Sequence, residues 1–243
     1  MTEVHLDIED GIYGWKAGFL WETQSSAFQL SVRIQLFKDS SCSSWQLEEM
    51  KKICQREFRR FFHSTFLFRE PFGSYKPVCT SLIFTEDQPH LQATVFAQHG
   101  ETALPNWYLK EHPIHLAHEL GHQLGLKDEY EDSYSQDRKS TASEAIFRDH
   151  SLMGNYALEG WKKANLKLRH GKRIAELISP FTQKSYAVAL NPEYEVQAGD
   201  GLGWIAQRYF GDEMKWREIY DLNRDIIPYK DQLQVGTHLL LPI

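Results

Sequence analysis

The 243-residue chain has little cysteine, no long apolar run and no dense basic tract, and each shortage removes a class of protein. Three cysteines, Cys42, Cys54 and Cys79, fit neither an even disulfide framework nor a CxxC metal spacing, so reduced thiols are expected. Nothing approaches 18 consecutive apolar residues, so no membrane span is expected. Lys plus Arg number 27 against 33 Asp plus Glu, a formal charge of −6. The mixed stretch from Lys162 to Arg173 reads as a solvated helix face, so nucleic acid is not an expected partner. Residues Met1 to Gly11 are acidic and lack the basic segment and apolar core of a secretory signal. The expected location is therefore the cytoplasm of the producing cell, or the cell envelope or a target cell reached by a signal-peptide-independent route. Neither an internal repeat nor a low-complexity tract is present.

What is there is ordinary globular material, 42% hydrophobic and 25% charged, of a length that predicts one to two domains. Residues Gly11 to Lys38 read as a β-hairpin, because Phe28, Leu30, Val32, Ile34 and Leu36 alternate with mostly polar neighbours after a turn at Thr23 to Ser26. Ser40 to Ser44 offer caps for a helix over about Trp45 to His63, with Leu47, Met50, Ile53, Cys54, Phe58, Phe61 and Phe62 at helical spacing. Strands are predicted near Val78 to Thr85 and Leu91 to Ala97, and helices over Pro113 to Leu124 and roughly Leu158 to Leu177, the latter ending before Pro180. The polar stretch from Lys127 to His150 is too long for a simple connector and is a candidate cleft border.

The sharpest signal is His118-Glu119-Leu120-Gly121-His122, continued by Gly125 and Asp128. Residues four apart on a helix differ by about 40° around the axis and about 6 Å along it, so His118 and His122 can aim their imidazoles at one zinc ion. Glu119, offset by one position, can reach a zinc-activated water as general base. A shuffled chain of this composition contains HExxH about 0.04 times, and the pattern extended by Gly and then Asp or His about 0.0002 times, so the extension carries the inference. Gly125 permits the positive φ needed to turn the chain back toward the metal, which frees Asp128 to be the third ligand. Glu129, Glu131, Glu144 and His150 are the alternatives for that place, whereas His112 and His115 read as supporting or surface residues.

At these residues the sequence resembles the metzincin clan of zinc metallopeptidases, in the branch whose third ligand is aspartate. The resemblance extends to Ser151-Leu152-Met153-Gly154-Asn155-Tyr156, similar to the Met-turn that lies under the metal in that clan. It implies a mixed twisted sheet with an active-site helix, a supporting role for Met153, and Tyr156 or Tyr130 as candidate transition-state donors. Here Tyr156 follows Met153 by three residues, where clan members whose Met-turn tyrosine contacts zinc have two.

Beyond Ser179 to Asn191 the pattern changes. A strand near Val196, a turn over Ala198 to Gly201, two short helices and a closing strand in Val235 to Pro242 give a β-α-α-β order. These stretches resemble a LysM module, which implies a groove for N-acetylglucosamine polymers formed by Gly199, Asp200, Gly201 and Leu202 with Ile226, Ile227, Pro228 and Tyr229. Gly201 stands where LysM modules often carry threonine.

The resulting expectation is an α+β protein with a metzincin-like (zincin-like) hydrolase at 1–182, a linker at 183–192 and a βααβ LysM module at 193–243. A tethered polymer-binding module raises the effective concentration of the hydrolase at its polymer, so peptidoglycan stem peptides are the natural substrate, and delivery as a secreted effector or toxin is a corollary. Two alternatives stand beside it. One is a protein-cleaving zinc protease whose LysM docks on secretion or phage-tail-like machinery, with an immunity protein as a further possible partner; the other is a non-enzymatic cell-wall or baseplate adaptor.

Overall fold

The computed structural model describes residues 1–224, 226–227 and 229–241. Pro228, one of the expected groove residues, and Pro242 lie outside them. The protein is mixed α+β, built on a curled mixed sheet. Strands β1 (Thr2–Asp10), β2 (Tyr13–Thr23) and β3 (Phe28–Lys38) run antiparallel in succession, β1 pairing β2 in unbroken register from Thr2↔Trp21 to Asp10↔Tyr13. The predicted hairpin is thus present, but β1 was not anticipated. Its outward positions, His5, Asp7 and Glu9, are polar and its inward ones, Val4 and Ile8, are buried, an alternation that the acidic character of the segment obscures.

Strand β3 is the hub of the sheet. Helix α1 (Ser44–Phe62) follows it and leads to β4 (Phe66–Arg69), β5 (Lys76–Phe84), β6 (Leu91–Phe96) and β7 (Asn106–Tyr108). Both β5 and β6 run parallel to β3. Arg33 O accepts from His90 N on the β6 side, and Ile34 O accepts from Thr85 N on the β5 side. Successive carbonyls of a strand point to opposite edges, so β5 and β6 flank β3 on its two sides. Ser43 caps α1 in a capping box with Gln46, and Met50, Cys54, Phe58, Phe61 and Phe62 bury its inner face as the spacing predicts.

Helix α2 (Ile114–Gln123) carries the HExxH residues and packs on α1 and β2. The expected long helix after it is broken into one turn, α3 (Tyr156–Glu159), a 3-10 turn at Trp161–Lys163, and α4 (Leu168–Thr182). Gly160, at φ +96°, ends α3, and the break places Ala164 and Leu166 in the core. Pro180 lies inside the last turn of α4 instead of beyond its end, and Gln183 in the left-handed region stops the helix. Helix α4 touches β1 as well as β4 and β8 (Ala187–Leu190), elements at opposite ends of the strand order, so the sheet curls around it. The expected linker at 183–192 is corrected by β8, which pairs antiparallel with β4 from Phe66↔Leu190 to Arg69↔Ala187.

The remaining residues form β9 (Glu193–Glu195), α5 (Leu202–Phe210), a 3-10 turn, α6 (Trp216–Leu222) and β10 (His238–Leu240), with β9 and β10 antiparallel. They enclose their own apolar cluster of Tyr194, Val196, Leu202, Ile205, Ala206, Ile219, Ile227, Leu239 and Leu241. This unit sits against the end of α1. Arg208 donates to Arg60 O at 2.6 Å, Arg59 pairs with Glu195, and the Arg60 guanidinium lies 4.1 Å from the Trp204 ring centroid. No helix among the described residues is long and apolar enough to cross a membrane.

Candidate metal centre

The ligand geometry begins with how α2 ends. Gly125, at φ +81°, donates to His122 O at 2.9 Å, and Leu126 N donates to Gly121 O at 3.1 Å, the two bonds of a Schellman turn. A Cβ on Gly125 would come within 2.6 Å of Leu177 Cδ1, so sterics and backbone conformation both require glycine. The turn directs Leu126 O back to His122, whose Nδ1 donates to it at 2.9 Å, and brings Asp128 opposite the two histidines. His118 Nδ1 donates at 2.9 Å to Leu152 O, in the turn that carries Met153.

These two bonds decide which nitrogen of each ring faces the site. Each Nδ1 faces a carbonyl that can only accept, so each Nδ1 carries a proton and Nε2 is the atom through which either ring would bind a metal. The two Nε2 atoms are 3.1 Å apart, and Asp128 Oδ1 lies 3.0 Å from one and 3.3 Å from the other. Asp128 Oδ1 is buried without a hydrogen-bond partner. With both rings neutral, two lone pairs and a carboxylate oxygen held this close repel one another unless a cation sits among them. The donor set of two imidazoles and a carboxylate is that of an open zinc site, so the residues fit the metal. His118, Glu119 and His122 also offer ligand atoms within 4.8 Å of one another, with Glu119 as the added carboxylate.

Glu119 is set apart by its surroundings. Burial, against the lowering influence of His118, raises its carboxyl to about 7, while the backbone N–H of Leu104 holds it. For Asp128 burial acts the same way, but a proton on the facing histidines outweighs it and keeps the carboxyl well below the usual range. Tyr130 is half-buried; desolvation raises its hydroxyl, and the adjoining Asp128 carboxylate raises it further. Tyr156 places its ring 5.6 Å from that of His118, and its hydroxyl is 3.0 Å from His115 Nδ1. Burial pushes the phenol of Tyr156 up and the imidazole of His115 down. These side chains line one cleft of about 660 Å³, together with Tyr13, Glu101, Thr102 and Asp132.

Met153 is fully buried, and its Sδ lies 2.5 Å from where a Cβ on Gly121 would stand. Gly121 thus has a task beyond helix formation: it lets the methionine pack directly under α2 between the two histidines. Among the alternatives for third ligand, Glu129 is held by Arg169 at 2.6 and 2.7 Å, by His170 at 3.1 Å and by Ser151. Its contacts fix the turn before Met153, and burial is outweighed by Arg169 and His170, which bring its carboxyl down to about 2. His150 is taken up by Glu159, to which its backbone N–H donates at 2.6 Å.

Sequence reasoning missed the support behind Asp128. Arg138 is 2% exposed, donates to Asp10 Oδ2 at 2.7 Å and to Tyr130 O, and sits 3.7 Å from Asp128 Oδ2. Ser135 adds a bond to Asp10 at 2.7 Å. Nothing in the local pattern flags Arg138, because its partner Asp10 is 128 positions away. Trp15 was likewise missed; its indole N–H donates to His122 O at 2.9 Å, tying β2 to the ligand helix.

In the C-terminal unit the expected groove residues are distributed differently. Asp200 accepts from Tyr194 Oη at 2.6 Å and from Gln197 N at 2.8 Å, which closes the first loop on itself. Leu202 and Ile227 belong to the apolar cluster, whereas Ile226 and Tyr229 are exposed. Gly199 takes φ +87° in the turn, and Gly201 precedes α5 in extended conformation. Asp200, Gly201 and Leu202 line a depression with Trp216, Lys230 and Asp231, so its second wall comes from residues just after the expected loop. No protein-family model, no curated protein and no solved structure matches the chain.

Proposed function

We propose that this protein is a zinc-dependent peptide hydrolase of metzincin-like build, with His118, His122 and Asp128 as ligands and Glu119 as general base. One observation carries the reading: two imidazole lone pairs and the unpartnered Oδ1 of Asp128 converge in a cleft beside a buried glutamate. Zinc bound there supplies Lewis acidity, which polarises a scissile carbonyl and acidifies water. Glu119 accepts a proton from the attacking water at its carboxylate and passes it to the departing amine, while the Leu104 amide keeps it oriented. The Arg138 guanidinium, held by Asp10, lies 3.7 Å from the far oxygen of Asp128 and offsets its charge, and Leu126 O and Leu152 O fix the two rings. Tyr156, set by His115 with its ring beside that of His118, is the proposed donor for the developing oxyanion.

The β9–α5–α6–β10 unit is proposed as a LysM-like module directing the hydrolase to peptidoglycan, whose stem peptides are the proposed substrate. Its order of elements and the depression beside Gly201 support this. The test joins metal analysis, peptidoglycan pull-down and muropeptide digestion, comparing the parent chain with Glu119→Gln. Bound zinc in both, with turnover lost only in the variant, is expected. Equal turnover by Glu119→Gln would remove Glu119 from its role, and absence of stoichiometric zinc would remove the reading altogether.

A further inference from the structure

The charges lining the cleft do not cancel, and the remainder has a sign. With a divalent cation, two neutral imidazoles and the Asp128 carboxylate leave one positive charge, which Glu119 offsets; behind them Arg138 is offset by Asp10. Glu101 and Asp132 also line the cleft, and neither has an ion-pair partner among the described residues. No lysine or arginine lines the cleft among those residues. Asp132 is fixed to the wall, and Glu101 is exposed at its edge. Asp132 Oδ1 accepts from Tyr134 N at 2.8 Å and its carboxylate bonds the Tyr13 hydroxyl. The charge of Glu101 is felt at both Glu119 and His115. Between Glu101 and the neighbouring wall residue Ala103, Thr102 is only 8% exposed and its hydroxyl has no partner, so the wall of this cleft holds a buried polar group with nothing to bond.

We infer that the cleft selects peptides bearing a side-chain ammonium beside the scissile bond, a lysine or another diamino acid, with Glu101 and Asp132 as the specificity-determining carboxylates. The inference rests on the peptide-hydrolase reading and narrows its substrate. A cleft lined by one sign of charge concentrates the opposite sign and discriminates against its own. At an effective dielectric of about 20 and a separation of about 6–7 Å, an unscreened carboxylate favours a cation by roughly 50- to 100-fold, and screening in an open cleft reduces each contribution to on the order of tenfold. Stem peptides of peptidoglycan carry such a diamino acid, so this substrate class and the proposed targeting agree.

The experiment uses the full-length zinc-loaded chain and four otherwise identical peptides: lysine or acetyl-lysine beside the scissile bond, each with a free or a blocked N-terminus. Turnover is followed with the parent, Glu101→Gln and Asp132→Asn, and binding of the same peptides to Glu119→Gln is followed by calorimetry. Lysine should exceed acetyl-lysine by 10-fold or more in kcat/KM and in affinity, whichever terminus is used. The ratio should fall severalfold in Glu101→Gln, and Asp132→Asn should repeat the fall. A preference that follows the free N-terminus instead, equal handling of lysine and acetyl-lysine, or a ratio unchanged in both variants overturns the inference. Lysine-selective binding to Glu119→Gln with no turnover by the parent would keep it and remove the hydrolase reading, so the two failures are distinguishable.

Discussion

In the cleft beside α2, buried charge is arranged so that Asp128 Oδ1 is left without a hydrogen-bond donor, whereas around the depression beside Gly201 the polar side chains are taken up by neighbours within the β9–β10 unit. Asp200 closes its loop through Tyr194 and Gln197. Asn223, 1% exposed, donates to Ile219 O at 2.7 Å and Leu240 O at 2.8 Å and accepts from Leu240 N at 2.7 Å. No residue lining the depression beside Gly201 has a buried unpartnered side-chain atom among the described residues. The first region keeps converging acceptors in a state that costs free energy without a ligand; the second does not. An unfilled acceptor set is therefore the stronger sign of chemistry, and a self-satisfied loop is the sign of a fold that stands without its ligand.

The contrast can be broken most forcefully at Arg138. Arg138→Met should destabilise the fold by about 4 kcal/mol, because Asp10 is left buried and unpaired, as read by chemical denaturation. Adding Asp10→Asn should restore much of that stability while zinc affinity stays lowered, by about 10- to 100-fold. Recovery of full zinc affinity in the double variant would confine Arg138 to folding.

Acid probes the same region through Glu129. Its folded carboxyl sits at about 2 against an ordinary 4.5, so the stability it contributes is fully present above pH 4.5 and is lost as pH falls from there toward 2. The loss should reach about 3 kcal/mol in denaturation curves taken across that window, and Glu129→Gln should flatten it. A parent curve with no slope there would separate Glu129 from the stability of the turn at Met153.

Removing a donor gives the next effect. Asp128→Ala should weaken zinc about 100-fold in competition with a chromophoric chelator, and Asp200→Ala should leave zinc affinity unchanged. The smallest change is expected from Asp200→Ala itself, about 1 kcal/mol of stability confined to the β9–β10 unit and visible as faster amide exchange near Gln197. If Asp200→Ala altered zinc affinity as much as Asp128→Ala, the two regions would not be separate in the way their hydrogen bonds indicate.

How far each region could be read in advance follows from the range of its interactions. The spacing of His118, Glu119 and His122 is a property of one helix, and Gly125 followed by Asp128 is a property of one turn, so both are legible in a dozen residues. The hairpin of β2 and β3 and the buried face of α1 were legible for the same reason. Strand β8 was not, because Ala187 to Leu190 is short and becomes a strand only by pairing with β4, about 120 positions earlier. The break before α4 was hidden too, since Ala164 and Leu166 keep an apolar pattern across a stretch that Gly160 interrupts.

By itself the sequence determined which atoms can converge on a metal, because helix periodicity and a glycine turn fix their relative positions within a few residues. Tertiary structure alone decided what holds those atoms and what remains free beside them. Asp10 reaches Arg138 across 128 positions, Leu152 O reaches His118 across 34, and Met153 finds its place under Gly121. Such contacts are set by packing of distant segments around a shared core, and no local spacing encodes the partner at the other end.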